Sequence, residues 1–143
     1  MTPCPEGAVV QRLLEVAAVT AIVGSRIYLD RLPQAPTYPA VLVQLVHEPS
    51  DQHLRGGARM RARVQVDAYA QEKSGTNPYD VAVRLADAIH GDGGGSGLEG
   101  WFGSVGTPPF VVRAVLRIER TREYDPEELQ LLRQRQDYWI HFS

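Results

Sequence analysis

The sequence predicts an α+β domain, with a mainly antiparallel four-stranded sheet carrying two helices on one face, in the order α-β-β-α-β-β. Three observations lead there. Two stretches repeat apolar residues at helical spacing, and two others alternate apolar with polar residues. Strand-like segments also twice follow one another with only a turn between them, which suits antiparallel pairing.

From Pro5 to about Val19, residues Val9, Leu13, Val16 and Ala17 share one helical face. Pro5 suits a first-turn position because its missing N–H would have no partner there. Gly24 and Ser25 end the segment, and a short extended piece, Arg26 to Leu29, leads into a connection with Pro33, Pro36 and Pro39. These prolines hold the backbone extended and withhold ladder donors, so the connection is expected to be ordered coil.

Ala40 to Glu48 is rich in Val and Leu and reads as the first strand. Polar residues 49–59 follow, including Gly56-Gly57. The clearest alternation comes next. Met60, Ala62, Val64, Val66 and Ala68 point one way, and Arg61, Arg63, Gln65, Asp67 and Tyr69 the other. This is a second strand with one buried face, joined to the first as a long-looped hairpin.

Asn77-Pro78 marks a helix start, with Asn77 as N-cap and Asp80 in the first turn. Val81, Leu85, Ala88 and Ile89 line one face of this helix to near Gly91. Six glycines then fall within residues 91–100, where no packed element is expected, because glycine loses the most backbone entropy on ordering. Phe110 to Thr121 reads as a third strand, with Val112, Ala114, Leu116 and Ile118 on its apolar side. Asp125 to Glu128 carries turn signals, and Leu131 to Phe142 alternates again as the fourth strand. One domain spans residues 1–143, with flexible loops expected at about 49–59 and 91–109.

Composition narrows the function. The chain has 143 residues, 43% hydrophobic and 22% charged, in the globular range. No apolar run approaches the ~18–20 residues that span a bilayer, and the start lacks the pattern of a secretory signal, so no membrane association is expected. A single cysteine, Cys4, rules out an internal disulfide. Fifteen basic against seventeen acidic side chains give a net charge of −2, against the strongly basic balance of most nucleic-acid binders. Fourteen of those bases are arginine and only Lys73 is lysine, which codon bias accounts for better than function does.

Catalytic and metal-binding patterns are not found. His47 and His141 fall on strands, His90 at a helix end and His53 in a loop, and none pairs with another at metal-ligand spacing. Cys4 precedes a helix but has no nameable base, so it reads as incidental. The glycine run follows a helix, contains no lysine and leads toward a strand, the reverse of a phosphate cradle. No catalytic residue, metal site or cofactor is therefore assigned.

The positive signal is the polar side of the strands. Arg61, Arg63, Arg113, Arg117 and Arg135 are read there, interleaved with Asp67, Glu119 and Asp137, and Val111, Val115, Tyr69 and Trp139 share it. One reading is a solvated face laced with cross-strand ion pairs worth about 0.2–1 kcal/mol each. The other is a protein contact surface, where Arg, Tyr and Trp are enriched. Composition leaves the two balanced.

Several stretches, in order, resemble the phage tail completion (tail terminator) family of long-tailed phages and phage-derived particles such as gene transfer agents. These are Ala18 to Tyr28, with its apolar run followed by Gly24, Arg26 and an aromatic, and the strand Pro39 to Gln44 after its proline-rich lead. The segment Arg61-Ala-Arg-Val-Gln-Val-Asp-Ala-Tyr69 is the nearest match, and the helix Tyr79 to His90 and the strand Arg133 to Phe142 complete the series. The glycine insertion at 91–100 departs from the family's compact turn.

The resemblance implies a structural protein of the virion tail and neck, assembled in the host cytoplasm. It would form a homo-oligomeric ring, commonly a hexamer, on the head-proximal end of the tail tube, contacting tube protein and the head–tail connector or stopper. DNA would pass through the opening without being read. The subunit interface is expected at Arg61, Arg63, Asp67, Tyr69, Arg113, Arg117, Glu119, Arg135, Asp137 and Trp139. Docking loops would present Asp51, His53, Arg55, Arg59, Trp101 and Phe102. Alternatives are another neck protein, a head–tail adaptor or stopper, or a small nucleic-acid-binding domain using Arg55, Arg59, Arg61 and Arg63. On the ring reading, replacing Arg63 or Asp67 by alanine should impair assembly more than folding.

Overall fold

The computed structural model describes residues 4–49, 60–71, 77–106, 109–125 and 131–143. Pro5–Glu15 forms α1, opened by Cys4, whose Sγ accepts the Gly7 N–H at 3.3 Å. The expected single helix to Val19 breaks at Val16, whose backbone is extended (φ −86°, ψ 108°), and α2 restarts over Ala17–Val23. Apolar spacing hides the break, because Val19 and Val23 continue the three- and four-residue rhythm and both are buried. Gly24, at φ 60°, ends α2.

The sheet corrects the expected fold class. Among the described residues it has six strands in the order β1-β2-β3-β6-β5-β4, and three helices accompany it. The long strands β2 (Ala40–His47), β3 (Met60–Gln71), β5 (Phe110–Asp125) and β6 (Leu131–Phe142) are the four read from sequence, and they pair antiparallel. The additions are edge strands of three residues each, β1 (Ile27–Leu29) and β4 (Gly103–Val105). Three residues are too few to show a period. β1 pairs parallel with β2 through Ile27↔Val41, Tyr28↔Leu42 and Leu29↔Val43, which makes the sheet mixed. The proline-rich connection between them is the crossover, tied down where Arg26 Nε donates to the Pro39 carbonyl at 2.9 Å.

All three helices lie on one face of this sheet. Val9, Leu13, Val19 and Val23 from the first two, and Leu85, Ala86 and Ile89 from α3 (Pro78–His90), form one core with Val41, Val43, Val64, Val66, Val115 and Ile140. Asn77 caps α3 as expected, its Oδ1 accepting the Tyr79 N–H at 3.0 Å. A smaller core sits on the opposite face, where Tyr38 from the connection packs with Ala40, Leu42 and Tyr69.

The glycine-rich stretch also differs from expectation, being built against the core. Leu98 is fully buried, and its N–H reaches the Ile89 carbonyl at 2.8 Å. Gly97 lies so close that a Cβ there would meet the Ile89 carbonyl oxygen at 2.5 Å. Arg12 reaches across from α1 to donate to the Gly95 carbonyl at 2.7 Å. Absence of side chains is what lets two backbones approach this closely.

Candidate functional site

The second face of the sheet is a row of alternate residues from four strands. Ladder partners lie side by side on the same face, so the register identifies them: His47, Arg63, Trp139 and Leu116 form one cross-strand row. Gln44, Gln65, Asp137 and Glu119 form the next, and Leu42, Asp67, Arg135 and Thr121 lie beyond.

These side chains are tied together. Arg63 donates to Asp137 Oδ2 from Nε at 3.0 Å and from its terminal nitrogen at 2.6 Å, and also reaches Glu119 Oε1 at 3.1 Å. Arg135 Nε donates to Asp67 Oδ1 at 3.1 Å, and Gln65 Nε2 to Asp67 Oδ2 at 3.0 Å. Arg61 stacks on Trp139, with its guanidinium carbon 4.3 Å from the ring centroid. Arg133 pairs with Glu123 farther along.

Asp67 is fully buried (0% exposed) and Asp137 nearly so. Burial pushes the Asp67 carboxyl above its ordinary value, and Arg135 only partly offsets this. At Arg63, the hydrogen bonds it donates to Asp137 raise its pKa, so the guanidinium stays charged. The face thus has a buried polar floor of Asp67 and Asp137, and an accessible layer of Arg61, Glu119, Leu116 and parts of Arg63, Arg135 and Trp139.

Eight of the ten residues expected at the interface meet here: Arg61, Arg63, Asp67, Tyr69, Glu119, Arg135, Asp137 and Trp139. Arg113 and Arg117 do not join them, and the cause is β-bulges. β5 shifts register between Val112 and Ala114 and again between Arg117 and Glu119. The first shift leaves Arg113 outside the pairing, its Nε donating to Ser143 Oγ at 3.0 Å. It also turns Arg117 to the helix side, where it donates to Gln136 Oε1 at 2.9 Å. The same shift buries Val115 and leaves Leu116 exposed, reversing the apolar side read for this strand. Leu116 is therefore the member that sequence periodicity missed.

Among the expected docking residues, Phe102 is 74% exposed, whereas Trp101 is in the core with Arg12 over its ring. Asp51, His53, Arg55 and Arg59 lie outside the described residues. Among the described residues no three His, Cys, Asp or Glu side chains gather into a potential metal site, and no helix is long and apolar enough to cross a membrane. Burial raises the Cys4 thiol pKa, the opposite of what an activated nucleophile needs. His90 Nδ1 contacts the Tyr138 hydroxyl at 3.2 Å inside a polar network with Gln136 and Arg117, which ties α3 to the sheet.

Comparison with known proteins gives the family of the chain. The family described as Tail completion protein gp17 matches residues 7–137. The chain belongs to that family. Tail completion proteins are structural parts of the phage virion, and the chain is accordingly a structural component of the tail and neck region, working among other tail and head proteins. A chain from the virion of a native gene transfer agent particle has a similar fold, with a TM-score of 0.55 and 18% identity over 94% of this chain and 92% of that one. No curated protein matches the sequence.

Proposed function

We propose that this tail completion protein closes into a ring on the head-proximal end of the tail tube, where it ends tube growth and offers the surface that meets the head connector. Family membership over residues 7–137 carries the reading. The likeness to a chain from the virion of a native gene transfer agent particle agrees with it. The second sheet face supports it physically, since Arg61, Trp139 and Leu116 bring the residue types that populate protein contacts to an accessible surface. A heterologous contact repeated by rotation closes into a ring when the rotation closes. DNA passing through the opening would meet a chain of net charge −2, suited to passage and not to grip.

Asp67 and Asp137, buried beneath the face, hold its shape, while Arg61, Arg63, Glu119, Arg135 and Trp139 are the groups available to neighbours. Replacing Asp67 would consequently disturb folding as well as assembly, and Trp139→Ala is the cleaner probe. Native mass measurement of the purified chain, alone and with tube and neck proteins, tests the proposal. A closed multiple of the subunit mass, placed by particle imaging between tube and connector, is expected. A strictly monomeric chain in every mixture overturns it.

A further inference from the structure

The outer edge of β5 changes character along its length. Among the described residues, β4 covers it at Phe110–Val112, the Gly100 N–H reaches the Val115 carbonyl at 3.0 Å, and the Glu99 carboxylate accepts the Arg117 N–H at 2.6 Å. Beyond the bulge between Arg117 and Glu119, the strand still pairs with β6 on its inner side as far as Asp125↔Leu131. On its outer side, residues 118–124 pair with no described strand, and six of these seven residues are exposed, Arg120 being half-buried. An edge of this kind presents main-chain donors and acceptors that a further strand can use.

The side chains along it are sorted by charge. Glu119 and Glu123 stand on the second face, where they meet Arg63 and Arg133. Arg120 and Arg122 stand on the helix face; Arg120 reaches Asp87 of α3 at 2.8 Å, and the Arg122 guanidinium carbon lies 5.0 Å from the Tyr79 ring centroid. Between this edge and α3 runs a groove of about 480 Å³, lined by Tyr79, Val83, Arg120, Thr121, Arg122 and Gln134 and by no carboxylate. The Asp87 side chain is 61% exposed, so its hold on Arg120 is weak and an incoming carboxylate can share that cation.

Charge on an edge often serves to repel strands, and against copies of this chain it does. A copy related by a two-fold axis would set one residue of β5 opposite itself. Centred on Thr121, Arg120 faces Arg122 and Glu119 faces Glu123; centred on any of those four, two like charges meet directly. The other end of the sheet offers no match, because β1 and β2 contain no carboxylate to meet the two arginines. A strand of another protein meets no such conflict if its charges alternate in the complementary sense.

We propose that residues 118–124 of β5 form a strand-addition site for an extended segment of a different protein, one that sets carboxylates opposite Arg120 and Arg122, in the groove beside Tyr79, and cations opposite Glu119 and Glu123. Main-chain bonds along the open edge supply the affinity, and the alternating charges supply the selection. The order Glu-Arg-Thr-Arg-Glu reads the same both ways, so charge admits the segment in either direction. This site does not depend on ring closure.

The test uses the full chain and a peptide with blocked ends, Val-Lys-Glu-Thr-Glu-Lys-Val, set against Val-Glu-Lys-Thr-Lys-Glu-Val, which has the same composition and net charge. At up to about 1 mM, the first should shift the backbone amide NMR signals of residues 118–124 and bind at least about tenfold more tightly than the second. Arg120→Glu with Arg122→Glu should reverse that order. Arg122→Glu alone, at an exposed position, should narrow the difference while leaving the melting temperature near that of the parent. Equal binding of the two peptides, no binding of either, or shifts confined to other strands overturn the proposal and leave the ring reading untouched.

Discussion

Strands β3 and β6 present two faces to two different environments. Toward the helices, Val64, Val66, Ala68, Tyr138 and Ile140 are buried among side chains from α1, α2 and α3. On the other side, Arg63 bonds Asp137 Oδ2, and Gln65 and Arg135 bond Asp67, while the buried Asp137 Oδ1 has no hydrogen-bond partner among the described residues. Apolar burial stabilises by roughly 25 cal/mol per Å², whereas exposed ion pairs contribute about 0–1 kcal/mol. The helix face therefore holds the fold, and the second face makes little net contribution of its own. Burying Asp67 there works against stability, a cost tolerated where a polar surface is needed.

The largest effect should come from the helix face. Leu85→Ala removes a fully buried side chain at the junction of α3 and the sheet, and should cost about 2–5 kcal/mol in denaturant unfolding. A loss below 1 kcal/mol would erase the contrast between the faces.

On the second face the effect should be smaller and should depend on pH. Arg135→Ala leaves Asp67 buried without its guanidinium partner, and because Arg135 is itself partly exposed the loss should be about 1–2 kcal/mol at neutral pH. The folded-state carboxyl of Asp67 sits above its unfolded value, so the native chain takes up this proton first as pH falls. Its contribution to stability is therefore full below the ordinary aspartate range and is lost as pH rises through the folded-state pKa. Stability curves of the parent and Asp67→Asn should diverge across that window. Parallel curves would mean that the carboxylate is not destabilised by burial.

The smallest effect belongs to His90, the polar link behind the helix face. Burial, assisted by the nearby Arg117, lowers its pKa below 6.5. The unfolded chain then takes up the proton first as pH falls below 6.5, so His90 costs stability progressively down to its folded-state pKa. An NMR titration of His90 should show a midpoint below 6.5, and His90→Gln should flatten the stability curve in that window. A midpoint at or above 6.5 would remove burial as the cause.

Much of this fold was legible in the chain. The alternations of 60–69 and 131–142 returned as β3 and β6 on the same faces, and Asn77-Pro78 opened α3 as read. What escaped has a common cause, which is that the deciding contacts lie far away in sequence. β1 and β4 are too short to carry a period and exist because β2 and β5 lie beside them. Gly97 looks like flexibility until the Ile89 carbonyl is seen against it. Bulges in β5 inserted single residues that exchanged Val115 with Leu116 and moved Arg117 across the sheet. Of the candidate interface, eight residues were found together because they belong to regular strands or to the regular part of β5. The two that were misplaced flank its irregularities.

By itself the sequence determined which four strands carry the sheet, which residues of β3 and β6 share a face, and where α3 begins, because side-chain alternation and caps are set by neighbours along the chain. Only the tertiary structure decided the mixed edge pairing, the packing of the glycine stretch, the burial of Asp67 and the exposure of Leu116. Each of these depends on what another part of the chain places opposite, and local periodicity carries no record of that.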